Sequence, residues 1–196
     1  ETADLFLQLI IEVLADKGRA AVVLPDGTLF GEGVKTKLKK MLTEECNLHT
    51  IVRLPNGVFN PYTGIKTNIL FFTKGQSTKD IWFYEHPYPE GVKNYSKTKP
   101  MKFEEFQAEI EWWGNETDGF ASRVENDHAW KVSIEEVIER NYNLDISNPY
   151  QGEVIDYDPN KLLAEYAEQQ QSIDTLRSQL KDVLGAALSA NTTEGK

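Results

Sequence analysis

Two aromatic side chains and two asparagines lie close together in the segment from Leu54 to Phe72, LPNGVFNPYTGIKTNILFF. Phe59 and Tyr62 offer ring faces for stacking, and Asn60 and Asn68 offer amide groups for hydrogen bonds. A loop whose two ends are held by a rigid sheet is a common place for a binding site. The other interpretation is a long turn with two aromatic side chains packed beneath it.

No other set of residues predicts catalysis. The three histidines, His49, His86 and His128, lie in unrelated sequence contexts and form no nucleophile-and-base set. Their spacing from Cys46 does not suit a zinc site. Gly31-Glu32-Gly33 lacks the third glycine of a dinucleotide-binding loop, so we reject that type of site.

Composition excludes several functional classes. The 196 residues carry a formal net charge of −10, which gives no general attraction to nucleic acid or to an anionic membrane. Contact with DNA therefore has to come from a local patch or from a partner. The single cysteine rules out an internal disulfide and fits a cytoplasmic location. No apolar run reaches membrane-spanning length, and the start at Glu1, without a methionine, suggests a piece of a longer chain.

The elements that would position the 54–72 segment alternate between helix and strand. Short apolar runs, typical of buried strands, are followed or preceded by amphipathic stretches, which is an α/β pattern. The loop before Thr67 is too short for a crossover helix, so its two flanking strands are expected to pair antiparallel. We predict helices at about 3–16 and Val34–Glu45, and strands at Arg19–Pro25, His49–Leu54, Thr67–Thr73 and Ile81–Tyr84.

Four lysines decorate the second predicted helix, namely Lys35, Lys37, Lys39 and Lys40. We expect a solvated helix surface, with a phosphate-contacting patch as the alternative.

The chain after residue 85 is predicted to form two further parts. Residues 86–157 would be an irregular and helical extension, in which Ser133 and Glu136 form the capping box of a short helix and Trp130 packs back on the sheet. Residues 158–190 would be a helix about 45 Å long. Its apolar residues are spaced alternately four and three apart, which predicts a coiled-coil seam for a partner helix, with packing along the chain's own body as the alternative. The seam comprises Leu162, Tyr166, Gln169, Ile173, Leu176, Leu180, Val183 and Ala187.

Three segments, RAAVVLPDGTLF, LPNGVFNPYTGIKTNILFFTKG and AWKVSIEEVIERNYNLDISNP, resemble the modification subunit of type I restriction-modification systems. Members of that family are N6-adenine DNA methyltransferases that use S-adenosylmethionine. The resemblance implies that residues 1–85 are the C-terminal half of a Rossmann-like methyltransferase sheet ending in an antiparallel hairpin. The cofactor loop and the Asn-Pro-Pro-Phe motif would lie upstream of Glu1, so this part alone is expected to be inactive.

The same resemblance implies roles for individual residues. Neither Asn60-Pro61-Tyr62 nor Asn148-Pro149-Tyr150 is expected to be the catalytic motif, because each lacks the second proline. Phe59 is the first candidate to stack on a flipped-out adenine and Tyr62 the second. Asn68 would either bond within that pocket or cap a strand.

The resemblance also implies partners. They are DNA, the specificity subunit and the restriction subunit, with Leu162, Tyr166, Ile173, Leu176, Leu180 and Val183 as the docking residues. Self-association through an open sheet edge is a further expectation. Two other functions remain open at this point: a non-catalytic scaffold that acts only through its coiled coil, and a methyltransferase for RNA or protein.

Overall fold

The computed structural model describes residues 2–150 and, after them, residues 163, 166, 170, 171, 173 and 175–181. The chain divides into two compact units, residues 1–152 and 153–196. The first unit is a mixed α/β structure built on a five-stranded sheet with strand order β1-β3-β2-β4-β5. Its strands are β1 (Arg19–Pro25), β2 (Cys46–Arg53), β3 (Thr67–Lys74), β4 (Asp80–Glu85) and β5 (Ala129–Ser133).

Strand β3 runs antiparallel to both of its neighbours, β1 and β2. The predicted antiparallel pairing around the 54–66 loop is therefore confirmed. Asn68, near the start of β3, pairs with Leu24 of β1 on one side and with Arg53 of β2 on the other. The end of β1, the end of β2 and the start of β3 thus lie at the same end of the sheet, and the loop projects from that end.

Helices cover one face of the sheet. They are α1 (Thr2–Val13), α2 (Gly27–Phe30), α3 (Val34–Glu45) and α5 (Ile134–Glu139). Leu7 and Ile11 of α1 pack with Leu38 and Leu42 of α3 and with the sheet residue Phe72 in one buried core. These buried side chains recur at helical spacing, so each helix turns one apolar stripe towards the strands.

Helix α1 is apolar on more than one side. It ends at Val13 rather than at the predicted Asp16. Of the apolar side chains of this helix, Leu5, Leu9 and Val13 are more than half exposed, whereas Leu7 and Ile11 enter the core. The spacing of apolar residues could not distinguish the two sides, because both carry aliphatic side chains at helical intervals.

Lys39 is not part of a solvated surface, so the expectation of four solvated lysines on α3 is wrong for this residue. Its side chain is 1% exposed, and its Nζ donates hydrogen bonds to the carbonyl oxygens of Leu29 (2.6 Å) and Gly31 (2.9 Å). Burial lowers the pKa of Lys39 to about 8. Lys35 is also engaged, since its Nζ lies 3.0 Å from both carboxylate oxygens of the buried Asp4.

The opposite face of the sheet is covered by a 3-10 turn, Phe103–Phe106, and by α4 (Gln107–Trp112). Phe106, Trp112 and Trp113 pack on a second core that contains Val52 and Tyr84. The chain after β4 is therefore helical here, and its first turn is 3-10 in form. A second 3-10 turn, Glu116–Asp118, follows α4.

Strand β5 was not predicted from the sequence. Trp130, which was expected to pack on the sheet, lies in this strand, is 1% exposed, and stacks on Phe83 with ring centroids 5.3 Å apart. Ser133 ends the strand and caps α5, because its Oγ accepts a 3.3 Å hydrogen bond from the main-chain N–H of Glu136. The predicted helix start is thus confirmed.

In the second unit, every described residue is helical. Tyr166, Leu176 and Leu180 of the predicted seam are more than half exposed, and Ile173 is 39% exposed. Leu162, Gln169, Val183 and Ala187 lie outside the described residues. Among the residues that the structure describes, no helix combines the length and apolar character needed to cross a bilayer.

Candidate functional site

A polar cluster joins the strand ends at the end of the sheet from which the 54–66 loop projects. The amide of Asn68 donates a 2.9 Å hydrogen bond to Oδ1 of Asp26, the residue after β1. The guanidinium of Arg53, the last residue of β2, lies 3.6 Å from the same oxygen and 2.7 Å from Oδ1 of Asp145. One carboxylate oxygen thus links the ends of β1, β2 and β3.

Main-chain hydrogen bonds also fix the two ends of the loop, near Leu54 and Lys66, which together form the root of the loop. The N–H of Asp26 donates to the carbonyl oxygen of Lys66 at 2.8 Å, and the N–H of Leu54 donates to that of Thr67 at 3.0 Å. Because both ends of the loop are fixed to strands, the loop starts from a rigid base.

Tight turns hold the loop itself together. The N–H of Asn60 donates to the carbonyl oxygen of Gly57 (3.0 Å), and that of Tyr62 donates to the carbonyl oxygen of Phe59 (2.9 Å). Gly57 has φ +81°, and a Cβ at this position would lie 2.2 Å from Oδ1 of Asn94. A side chain is therefore excluded at Gly57 both by backbone conformation and by space.

The segment that follows β4 supports the loop from outside. The amide of Asn60 donates a 2.9 Å hydrogen bond to the carbonyl oxygen of Tyr95, and the hydroxyl of Tyr88 donates one of 2.9 Å to the carbonyl oxygen of Asn56. Tyr95 is buried, its hydroxyl donates to Glu105 at 2.5 Å, and burial raises its pKa. A region predicted to be irregular thus has a defined task, which is to buttress the loop.

The structure places the three predicted site residues in different surroundings. Phe59 is 39% exposed and Tyr62 is 91% exposed, so both rings are accessible on the loop. Asn68 is 1% exposed, and its amide is already bonded to Asp26. The two Asn-Pro pairs are engaged in structural contacts, because Asn60 bonds to Tyr95 and the amide of Asn148 donates to the carbonyl oxygen of Asp127 at 2.7 Å.

A groove of about 730 Å³ lies beside this end of the sheet. Its walls come from α2 and its flanks on one side and from the end of the loop on the other, and include Pro25, Asp26, Phe30, Ile65 and Lys66. Half of the Phe30 side chain and more than half of the Ile65 side chain are exposed. An open, largely apolar groove with one carboxylate, that of Asp26, and two lysines, Lys35 and Lys66, suits a flat ligand that carries a few polar groups.

Asp26, Phe30, Arg53 and Asp145 were not predicted from the sequence to belong to this region. Asp26 directly follows strand β1, and residues after strands often contact ligands in α/β sheets. No sequence signal pointed to the contact between Arg53 and Asp145, because these residues lie 92 positions apart.

Two of the three histidines, His49 and His86, are buried in the first unit. His49 is buried, and burial lowers its pKa to about 4. His86 is buried too, and its Nδ1 is hydrogen-bonded to Glu109 of α4. Within residues 2–150 and the described helical positions after them, no group of acidic, histidine or cysteine side chains could hold a metal ion.

Comparison with known proteins gives the family. The N-6 DNA Methylase family model matches residues 1–158. The methylase subunit of the type I restriction enzyme EcoEI from Escherichia coli is 81% identical over 191 residues, which is 97% of this chain and 39% of that subunit. The chain thus spans well under half of this relative.

Solved structures agree with that match. The crystal structure of the EcoKI M protein superposes with a TM-score of 0.66 at 30% identity, covering 92% of this chain and 44% of that one. A chain of a type I R-M system, solved to explain complex assembly and conformational transition, gives a TM-score of 0.71 at 36% identity and covers 93% of this chain and 39% of its own. The resemblance to type I modification subunits is confirmed, and the chain belongs to the N-6 DNA Methylase family.

Proposed function

We propose that this chain is the target-base side of a type I modification methylase, which transfers a methyl group from S-adenosylmethionine to N6 of adenine in DNA. The observation that carries the proposal is the loop at residues 54–66, which presents accessible aromatic rings from a base fixed to three strands. The match to EcoEI and EcoKI methylase subunits supports the reaction type.

Phe59 is the residue that we assign to the flipped adenine. A base inside a duplex cannot reach a methyl donor, so an enzyme that modifies it has to extrude it and hold it. An aromatic ring stacked on a base contributes about 1–3 kcal/mol. The side chain of Phe59 is accessible without being fully exposed, and its main-chain oxygen anchors the turn through Tyr62 and Thr63. The ring of Phe59 therefore has an accessible surface, and the backbone that carries it is held by hydrogen bonds.

Tyr62 and Asn68 take different parts in this proposal. Tyr62, the second candidate for the flipped adenine, is almost completely exposed, and in this proposal it contacts the extruded base or the DNA around it. Asn68 acts on the base indirectly, because its amide is occupied by Asp26 and holds the root of the loop.

The rest of the methyltransferase domain would complete the site. Within the described residues, β1 pairs with a strand on one side only, and several apolar side chains of α1 are exposed. Further strands of a Rossmann-like sheet would cover them, and those strands would bring the S-adenosylmethionine loop and the Asn-Pro-Pro-Phe motif. On this view residues 1–85 belong to the catalytic domain, 86–157 to an extension and 158–190 to a docking helix. The part without those motifs would be inactive alone.

Partners follow from charge and from the second unit. A chain with net charge −10 needs help to hold DNA, and a specificity subunit and a restriction subunit would supply it. Exposed apolar helical residues in the second unit suit docking on a partner helix. We assign that role to Leu162, Tyr166, Ile173, Leu176, Leu180 and Val183. Self-association through the β1 edge would occur only where the remaining strands are missing.

Substitution of Phe59 tests the assignment. In the full-length subunit assembled with its specificity subunit, Phe59→Ala should lower the rate of adenine methylation by about 10-fold or more, since it removes the stacking surface. Binding of S-adenosylmethionine should stay unchanged. Phe59→Trp, which keeps a stacking surface, should retain most of the rate.

Phe103→Ala is the matched control, because Phe103 is an aromatic residue that is 76% exposed and lies outside the loop, on the 3-10 turn before α4. Radiolabelled methyl transfer to duplex DNA measures the rate. Equal rates for Phe59→Ala and Phe103→Ala would remove Phe59 from the site. Methyl transfer to RNA or protein but not to DNA would overturn the proposed reaction, and no transfer to any acceptor would favour a scaffold.

A further inference from the structure

A single cation connects the root of the loop to a distant part of the chain. The side chain of Arg53 is 15% exposed, and its guanidinium lies between two carboxylates, those of Asp26 (3.6 Å) and Asp145 (2.7 Å). Its Nη1 also donates a 3.2 Å hydrogen bond to the carbonyl oxygen of Ile146. Arg53 thus joins the residue after β1, the end of β2 and the segment after α5.

The segment after α5 is itself firmly placed. Leu144 is fully buried, and its N–H donates a 3.0 Å hydrogen bond to the carbonyl oxygen of Leu29 in α2. The N–H of Asp145 is bonded to the side chain of Asn143 at 2.9 Å. Asp145 therefore presents its carboxylate to Arg53 from a fixed backbone.

We propose that Arg53 is a positioning residue for the loop that holds the target base, and that Asp145 is its anchor. This inference rests on the proposed function. The path is short: Arg53 and Asn68 share Oδ1 of Asp26, and Arg53 is followed directly by the loop. A shift of Arg53 would move the loop root and with it Phe59.

Arginine suits this task better than lysine. Its planar guanidinium presents five N–H donors in a fixed fork, so it reaches Asp26, Asp145 and a carbonyl oxygen at the same time. A lysine ammonium keeps the charge but is a point donor on a flexible stem, so it would hold fewer of these contacts in place. Arg53→Lys should accordingly be intermediate between wild type and Arg53→Met.

The test uses the full-length subunit in complex with its specificity subunit and compares Arg53→Met, Arg53→Lys and Asp145→Asn with wild type. A misplacement of about 1 Å costs a reaction up to about 100-fold, so we expect kcat to fall 10- to 100-fold in Arg53→Met. The KM for S-adenosylmethionine should stay near that of wild type. A duplex with 2-aminopurine at the adenine that the wild type methylates should show a weaker fluorescence rise in Arg53→Met.

Lys74→Met is the matched control. Lys74 is a partly buried cation at the opposite end of β3. Its Nζ lies 3.7 Å from Glu45 and donates a 2.6 Å hydrogen bond to the carbonyl oxygen of Ile11. It should lower the melting temperature and leave kcat and the 2-aminopurine signal per folded molecule unchanged. A purely structural role for Arg53 would give the same result as this control.

Asp145→Asn keeps the inference open to refutation if Arg53→Met does not fold, since the Asp145 side chain is 42% exposed and its amide replacement keeps an acceptor oxygen. We expect a several-fold loss of kcat and a matching loss of fluorescence. If the wild type methylates adenine and both Asp145→Asn and Arg53→Lys match it, the inference is wrong while the proposed function stands. A wild-type complex that methylates no adenine overturns both.

Discussion

The ammonium group of Lys39 lies 2.6 Å from the carbonyl oxygen of Leu29, inside the core between α2 and α3. Four backbone carbonyls at the end of a helix have no partner within that helix. Lys39 satisfies those of Leu29 and Gly31, so a buried charge holds in place the helix that forms one wall of the groove.

Replacing Lys39 should therefore destabilise the first unit. Lys39→Met removes one donor from the carbonyl group of Leu29, which keeps the N–H of Leu144, and one from that of Gly31. Above pH 10.5, where burial of the ammonium no longer costs stability, we expect a loss of about 1–3 kcal/mol in the free energy of unfolding. Urea denaturation measures it. Lys40→Met is the control, because the Lys40 side chain is exposed and its ion pair with Glu44, at 3.7 Å, lies on the surface. Equal effects of the two substitutions would contradict a structural role for Lys39.

The stability should also depend on pH through Lys39. Its pKa is lowered from 10.5 in the unfolded chain to about 8 in the folded protein, so the unfolded state binds more protons between these values. Stability from this group is present above pH 10.5 and is lost as the pH falls through about 8. The stability difference between wild type and Lys39→Met should thus widen in favour of wild type from pH 8 to 10.5. A difference that does not change with pH would show that Lys39 has an ordinary pKa.

Two glycines of the loop should respond differently to alanine. Gly57→Ala forces a side chain into a positive-φ conformation and against Asn94, and we expect a destabilisation of about 1–3 kcal/mol. Gly64→Ala meets no atom within 4 Å and should change stability by less than about 0.5 kcal/mol. Thermal unfolding of both variants decides this, and a neutral Gly57→Ala would mean that the loop has another conformation.

Among the described residues, Arg123 is held by aromatic rings and hydrogen bonds, with no carboxylate in ion-pair contact. Its guanidinium carbon lies 3.7 Å from the ring centroid of Phe120 and 4.4 Å from that of Trp112, and its Nη1 donates to Oγ1 of Thr50 at 2.8 Å. Arg123→Lys should cost about 1–3 kcal/mol, because an ammonium cannot stack flat and also reach Thr50. The same exchange at the exposed Arg19 should be nearly neutral in urea denaturation. A neutral Arg123→Lys would reject the aromatic cage as a source of stability.

The docking helix can be tested by charge. In the full-length subunit, Leu176→Asp together with Leu180→Asp should abolish co-elution with the specificity subunit, since two carboxylates would enter an apolar seam. Ser178→Asp, which lies between them in sequence but off the seam, should leave the complex intact. Size-exclusion chromatography measures assembly. A complex that survives the double substitution, or deletion of residues 161–196, would place docking elsewhere.

Long, continuous apolar runs made the sheet centre predictable. Strands β2 and β3 each carry a run that suits burial on both faces, and the short loop between them left antiparallel pairing as the only simple connection. Val34–Glu45 was equally clear, because its apolar residues follow the helical period. Phe59 and Tyr62 were chosen as candidates because aromatic side chains in a glycine- and proline-rich loop are unusual, and their exposure on the loop leaves them candidates.

The remaining features depend on tertiary contacts that leave no periodic signal. Strand β5 is only five residues long and follows a polar segment, so its pairing with β4 was invisible. Lys39 has the same local pattern as its exposed neighbours, and only the position of α2 buries it. The partners of Arg53 lie far away in sequence, where local rules do not reach.

The separation of Arg53 from Asp145 has a consequence for how the protein is made. These two residues are 92 positions apart, so a ribosome completes the loop at residues 54–66 long before Asp145 has been synthesised. The loop can close its main-chain bonds early, but its root gains its second carboxylate only after α5 has emerged. A nascent or truncated chain that stops before residue 145 would therefore carry the loop with its anchoring ion pair unmade.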